Sequence, residues 1–392
     1  MKTKVLIALF CTLLLLPFSG FAKQGEAKQI KLQYDAVVES NYNGPDGALI
    51  HKVKTYKTVQ RALQDVPDNL THPYIIYIKN GRYYEKLTID KPFVTLLGES
   101  RDHTVLTFDT NADTIAPNGA RYGTFGSASV TVLAAHFKAE NLTIENSWDY
   151  NANKAKDDQD PTKVLSNTQA VALKTDKDSD KAIFRNVKLI GFQDTLYLNS
   201  GATYFVKCYI TGNVDFIFGA GQAVFNDSDI VSRDRGMPDT KGKDSALSGK
   251  TNGFITAPST KGTDKYGFLF INSRLLKENR LMADDSVTLG RPWHPTTNLP
   301  DGTRAADPRV NSAVAYINCY MDSHIAAKGW DPMSGKDANG NKIWFYPEES
   351  RFFEYGSTGP GAKTSSTRKW LDKAAAKEFT IVNVLDGWNP EQ

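Results

Sequence analysis

The sequence predicts an all-β protein: a single-stranded right-handed parallel β-helix, with a short N-terminal helical cap and long functional loops. Two observations lead there. Between about residue 73 and residue 325 the chain breaks into short runs rich in β-branched and aromatic residues, each bounded by Gly, Asn, Asp or Pro. These runs also share a signature, in which an apolar or aromatic residue is followed by a short polar one and then by alternating apolar positions. The polar positions are Asn141, Asn186, Cys208, Asp227, Asn272 and Asn318, separated by 45, 22, 19, 45 and 46 residues. Such separations are one or two units of a period near 22 with no helical periodicity inside the unit, the mark of a solenoid of β coils. A β-sandwich or barrel also strings short strands together, but with turn signals every ~8–12 residues and no long-range self-similarity.

The elements follow in chain order. Lys2 and Lys4 precede an apolar run from Val5 to Leu16, Pro17 breaks it, and Gly20-Phe-Ala22 supplies small residues for cleavage. Residues 1–22 therefore read as a secretory signal peptide, since the run falls short of the ~20 apolar residues of a spanning helix. Cys11 lies inside this run. The expected mature chain, 23–392, shows no linker that would divide it, so it is one domain, soluble and exported to a periplasm or the cell exterior. It keeps 45 basic and 44 acidic residues, a near-neutral balance that argues against nonspecific nucleic-acid binding. A local basic groove for an acidic polysaccharide is not excluded.

Tyr56–Val66 places Val59, Ala62, Leu63 and Val66 at helical spacing and ends at Pro67, which suits a cap over the open end of the stack. The strand-like runs are Tyr74–Lys79, Phe93–Leu97, Ser129–Leu133, Ala170–Lys174, Lys181–Ile190, Thr203–Thr211, Gly267–Ile271 and Ala313–Tyr320. Leu371–Phe379 is a second helix candidate. Four polar stretches interrupt the repeat, Asp149–Ser166, Ser232–Lys250, His294–Asn311 and Met333–Lys342, and loops of that length usually form functional walls. Cys208 and Cys319 are expected to be free. With Cys208 in the polar slot and Cys319 one residue past Asn318, they should face opposite sides of the strand, about five coils apart.

Two segments inside the repeat resemble each other: Gly191-Phe-Gln-Asp-Thr-Leu-Tyr197 and Gly212-Asn-Val-Asp-Phe-Ile-Phe218. Asp194 and Asp215 are 21 residues apart, about one coil, so in-register stacking sets them roughly 5 Å apart on neighbouring strands. Two carboxylates that close do not both ionise comfortably, which suits a reaction needing one anion and one acid. The bland alternative is that each Asp bonds its own backbone in a turn. That reading accounts for neither the pairing nor the one-coil offset.

Five separated motifs resemble those of the pectin methylesterases, in the same order and over roughly residues 45–390. They are Gly81-Arg-Tyr-Tyr-Glu85, Gln169-Ala-Val-Ala-Leu173, Gly191-Phe-Gln-Asp-Thr-Leu196, Gly212-Asn-Val-Asp-Phe-Ile-Phe-Gly219 and Leu289-Gly-Arg-Pro-Trp293. The likeness is to the bacterial branch, and the family's right-handed parallel β-helix agrees with the period found independently. The resemblance implies hydrolysis of the C6 methyl esters of pectin to pectate and methanol. It implies Asp215 as nucleophile, Asp194 as general acid and base, Gln193 as the oxyanion donor, Gln169 as its support and Arg291 as the residue that holds the nucleophile. Trp293 matches a sugar platform, and Thr124, Arg235, Thr296 and Met333 fall where that branch places substrate contacts. The implied partner is methylated homogalacturonan, met by a monomer that needs no metal or cofactor.

Two rivals remain at this level. A polygalacturonase or pectate lyase on the same scaffold would shorten the chain, and a lyase would be expected to need calcium, for which no compact acidic cluster stands out. A noncatalytic β-helical sugar-binding protein would give no reason for the paired motif. Neither a Gly-x-Ser-x-Gly elbow nor a His-Glu-x-x-His motif is present.

Overall fold

The computed structural model describes residues 33–159, 164–235 and 251–392. The expected signal peptide with Cys11, and most of the Ser232–Lys250 stretch, lie outside the described residues. Tyr34–Gln392 forms one compact unit. Among the described residues no helix is long and apolar enough to cross a membrane.

Successive coils place strands in three sheets, of twelve, eight and seven strands, all paired in parallel except Ala48–Ile50, which is antiparallel to Val53–Tyr56 at the N-terminal end. One full turn of the chain shows the plan. Ala182–Arg185 lies in the twelve-stranded sheet, Lys188–Ile190 in the eight-stranded and Leu196–Leu198 in the seven-stranded. The next coil repeats it with Ala202–Val206, Tyr209–Gly212 and Ile217–Gly219, in register throughout. This is a parallel β-helix.

Left-handed backbone turns make the corners. Between the twelve- and eight-stranded sheets the φ angles are +54° at Asn141, +51° at Asn186, +55° at Lys207, +48° at Asp227, +52° at Asn272 and +53° at Asn318. Asn and Asp tolerate this region better than other non-glycine residues, which explains the recurring polar residue in the sequence. The corner in the coil of Cys208 is Lys207, not Cys208, so the sequence register is corrected by one there: a lysine at the slot hid the repeat. Cys208 and Cys319 consequently hold the same inward-facing position, three strands apart and not five, because loops inflate the residues per coil. Both thiols are free and buried, and both face the core, contrary to the expected opposition. Three strand spacings are about 14 Å, beyond the ~7 Å reach of a disulfide.

Inside the stack, Phe184, Phe205, Phe225, Phe270 and Tyr316 stack ring on ring at 4.4–4.8 Å. Each fully buried ring contributes about 1.5–3 kcal/mol. The predicted cap is a helix at Val59–Gln64, which buries Val59, Ala62 and Leu63. The Thr58 hydroxyl accepts from the Arg61 N–H, and the Glu85 carboxylate accepts from the Val59 and Gln60 N–H groups at 2.9 and 2.8 Å. Glu85 of the first motif is thus an anion at a helix start. Near the C-terminus the helix shrinks to Lys373–Ala376, capped by Asp372.

Three of the four polar stretches hold regular elements among the described residues. Tyr150–Gln159 is a helix, begun by Asp149, whose carboxylate accepts from the Ala152 N–H. Its polar, non-amphipathic sequence gave no periodic signal. His294–Asn311 holds the hairpin Thr296–Asn298 with Arg304–Ala306, and Met333 opens another, Met333–Lys336 with Lys342–Phe345. The helix lies in the connection from the eight- to the seven-stranded sheet, and the two hairpins follow strands of the seven-stranded sheet.

Candidate active site

Asp194 and Asp215 occupy the corner between the eight- and seven-stranded sheets in consecutive coils, with φ of +62° and +49°. The ladder runs through both turns: Asp194 N–H donates to the Val214 carbonyl at 3.0 Å, Asn213 N–H to Phe192 and Leu196 N–H to Phe216, both at 2.9 Å. The glycine that opens each motif is required by close approach. A Cβ on Gly212 would stand 2.2 Å from the Phe216 Cβ, and one on Gly191 would stand 2.5 Å from the Thr195 hydroxyl. Leu196 pairs with Ile217 and Tyr197 with Phe218, so the two aspartates are in register, one above the other.

Their surroundings differ. Arg291 reaches back from the seven-stranded sheet two coils further on and grips Asp215 with two bonds, Nε–Oδ1 at 2.9 Å and Nη2–Oδ2 at 2.7 Å. Its guanidinium lies 3.9 Å from the centre of the Phe254 ring, which fills the intervening coil. Asp194 is 8% exposed and its carboxyl takes no hydrogen bond among the described residues. Burial first, and then the charge of Asp215, raise its pKa well above the usual carboxylate range, against the lowering pull of Arg291. The arrangement keeps one carboxylate paired with a cation and the other ready to hold a proton.

Gln193 immediately precedes Asp194. Its Oε1 accepts from the Thr168 hydroxyl at 2.5 Å, which leaves the amide hydrogens for a ligand. Gln169 anchors by its main chain, its carbonyl accepting from Ala112 N–H, while its Oε1 is buried without a partner. It makes no side-chain bond to Gln193. Trp293 packs edge-on against Phe218 and Tyr197, with centroids 5.6 and 6.5 Å apart. Thr124 sits half-buried on the short helix Gly123–Gly126. Arg235 donates to the Tyr150 hydroxyl at 3.2 Å. Thr296 is exposed and Met333 half-buried, on separate hairpins, and neither bonds to the acid pair or to Arg291.

The sequence reading missed several groups around the pair. Tyr197 stacks on Phe218 at 4.6 Å and on Phe125 at 4.8 Å, which extends the aromatic floor beyond Trp293. Both rings stand three residues after their aspartate, so the duplicated motif already held the signal. Phe192 is clamped between Tyr150, at 5.0 Å, and the Arg233 guanidinium, at 3.7 Å. Arg233 also donates to the Gly191 carbonyl. No local pattern announces such partners from distant coils.

A family model described as Pectinesterase matches residues 50–388. Pectinesterase A of Dickeya chrysanthemi is 46% identical over 362 residues, covering 92% of this chain and 93% of that protein. A crystal structure of a pectin methylesterase in complex with a hexasaccharide superposes with a TM-score of 0.83 at 46% identity, covering 92% of this chain and 99% of that one. The pectin methylesterase from Yersinia enterocolitica gives a TM-score of 0.78 at 48% identity, covering 85% and 99%.

Proposed function

This chain belongs to the pectinesterase family and removes the methyl esters of pectin, and we propose that it does so through an acyl-enzyme on Asp215, with Asp194 as acid and base. The observation that carries this reading is the asymmetry of the pair, with Asp215 gripped by Nε and Nη2 of Arg291 and Asp194 buried with its pKa raised. Each carboxylate oxygen has a second lone-pair direction, so Asp215 remains able to attack while Arg291 grips it.

Asp215 adds to the C6 carbonyl, whose oxygen becomes negative and takes a hydrogen bond from the Gln193 amide. Removing a donor of that kind typically costs about 10²–10³ in rate. Gln169 supports this hole through the main chain, since the N–H of the next residue, Ala170, donates to the Gln193 carbonyl at 3.1 Å. The tetrahedral intermediate collapses by breaking the bond to methoxide, and Asp194 gives that oxygen its proton, so methanol leaves. The remaining anhydride joins Asp215 to the sugar. Asp194, now a carboxylate, takes a proton from water as its oxygen attacks the sugar carbonyl. The Asp215–acyl bond breaks, the free carboxylic acid forms, and both aspartates return to their starting states. Splitting the hydrolysis this way turns one hard step into two easier ones. Trp293, with Tyr197 and Phe218, supplies the platform for the sugar rings, while Thr124, Arg235, Thr296 and Met333 line the approaches.

The pattern of residues 1–22 supports export, followed by action of residues 23–392 as a single soluble domain and a monomer on polymeric pectin outside the cytoplasm. The decisive assay is methanol release from methylated pectin with chain length followed in parallel. Methanol without shortening is expected, and Asp215→Ala should abolish it. A variant retaining a tenth of the activity would remove Asp215 as nucleophile.

A further inference from the structure

Arg291 stands between two carboxylates, and only one of them belongs to the acid pair. Thr256 pairs with Gly290, and Gly290 bridges to Trp330 in the coil beyond. The ladder runs on past these residues. Arg291 N–H donates to the Thr256 carbonyl at 3.0 Å, and Asp331 N–H to the Gly290 carbonyl at 3.1 Å. Asp331 therefore lies one coil beyond Arg291, about 5 Å along the stack, whereas Asp215 lies two coils before it. Trp330 turns inward and stacks on Phe352 at 4.5 Å, so the next residue, Asp331, turns away from the core.

Asp331 is 5% exposed, yet only one of its oxygens is paired. Oδ1 accepts from the Lys328 ammonium at 2.6 Å, and Oδ2 is buried with no hydrogen bond among the described residues. Burial raises its pKa above the usual carboxylate value, against the lowering pull of Lys328 and then of Arg291. The turn that carries it is tied down. Gly329, at φ +73°, has no room for a Cβ, which would stand 2.6 Å from Cγ of Arg368. Its carbonyl accepts from Leu289 N–H at 2.7 Å, and the Thr367 hydroxyl donates to the Lys328 carbonyl at 2.8 Å. A buried carboxylate oxygen without a donor is costly, and here the backbone holds it in place.

The acyl-enzyme reaction gives this carboxylate a task. In the resting protein both bonds from Arg291 end on Asp215. Once Asp215 is acylated, one of its oxygens is bonded to the sugar and its charge is gone. The negative charge has passed to Asp194, one coil further from Arg291. Arg291, with its side chain 11% exposed, stays fully charged and has lost the anion that held it. Asp331 takes no part in the chemistry and keeps its place beside the guanidinium throughout.

We propose that Asp331, held by Lys328, is a positioning residue that keeps the Arg291 guanidinium in place while Asp215 is acylated, and so supports the second, hydrolytic half of the reaction. This inference rests on the acyl-enzyme reading.

Methanol leaves in the first half-reaction, so rapid-mixing measurement of methanol release separates the two halves. Asp331→Asn removes the charge and keeps the shape. Its first turnover is expected at the wild-type rate and its later turnovers about tenfold slower, so kcat falls while kcat/KM stays within about threefold. Should Asp331→Asn not fold, Lys328→Gln takes its place, since that side chain is 34% exposed. Its later turnovers should slow by at least about threefold, again after an unslowed first one. A first turnover slowed as much as the later ones, or a kcat within about twofold of wild type, would overturn the proposal and leave the esterase reading standing. If the wild-type protein releases no methanol, or Asp215→Ala keeps a tenth of the activity, that reading falls and this inference falls with it.

Discussion

Replacing Asp194 with Asn separates what this residue does for catalysis from what it costs the fold. Its backbone stands about 5 Å from that of Asp215, one strand spacing away in register. Two unit charges at that distance repel by about 3 kcal/mol at an effective dielectric of ~20. Arg291, bidentate on Asp215, offsets part of this repulsion. Burial is the larger cause of the raised pKa and the Asp215 charge the next. The native state therefore holds this proton more tightly than the unfolded chain does. The contribution to stability is fully present below the unfolded value near 3.8 and is lost as pH rises toward the folded value. Asn keeps the shape but does not ionise. Asp194→Asn is accordingly expected to stabilise the protein by about 1–3 kcal/mol near pH 8, a rise of several degrees in Tm. Below about pH 4 the difference should vanish. Methanol release should fall by about 10²–10⁴ with loss of the proposed general acid. Thermal unfolding of both proteins from about pH 3 to pH 9 reads the first effect. A stability difference independent of pH, or one growing toward acid, would refute the assignment of the proton to Asp194. The companion change Asp215→Asn should have the opposite sign. It removes the bidentate ion pair with Arg291, whose side chain is only 11% exposed, and should cost about 3–5 kcal/mol.

Other expectations concern neighbouring groups. Trp293→Ala should raise KM by about tenfold through lost stacking, with a small effect on kcat, whereas Arg291→Ala should depress kcat by at least about 10²; equal small effects would make Leu289–Trp293 a structural corner only. Burial pushes the Cys208 and Cys319 thiols up to about 12. Neither should react with thiol reagents in the native protein, and both should titrate after denaturation without reductant; fewer than two would contradict the register. Arg368 and Glu354 form a fully buried pair, with Nε–Oε1 at 2.7 Å, near the C-terminal end of the stack. Arg368→Met should cost about 3–5 kcal/mol in a denaturant titration, and a loss under ~1 kcal/mol would show that the pair contributes little.

The repeat and the acid pair were legible in the chain because both are local patterns copied at a fixed interval. A corner with φ near +50° favours Asn or Asp, so each coil leaves a polar mark in the sequence. Likewise Gly191 and Gly212 recur because neither corner has room for a Cβ. The one-coil offset between Asp194 and Asp215 was enough to stack them, since in-register parallel strands preserve position. Where a residue does not follow its slot's usual chemistry, as with Lys207, the register slips by one and the inferred direction of Cys319 reverses. The Tyr150–Gln159 helix was hidden because a polar helix on the surface has no apolar stripe to display. What only the tertiary structure decided is which distant groups set the charge states. Arg291 crosses a whole coil over Phe254 to reach Asp215, and Thr168 fixes the Gln193 amide. Such relations depend on coil count and side-chain reach across the stack, and loops of unequal length erase that count from the sequence.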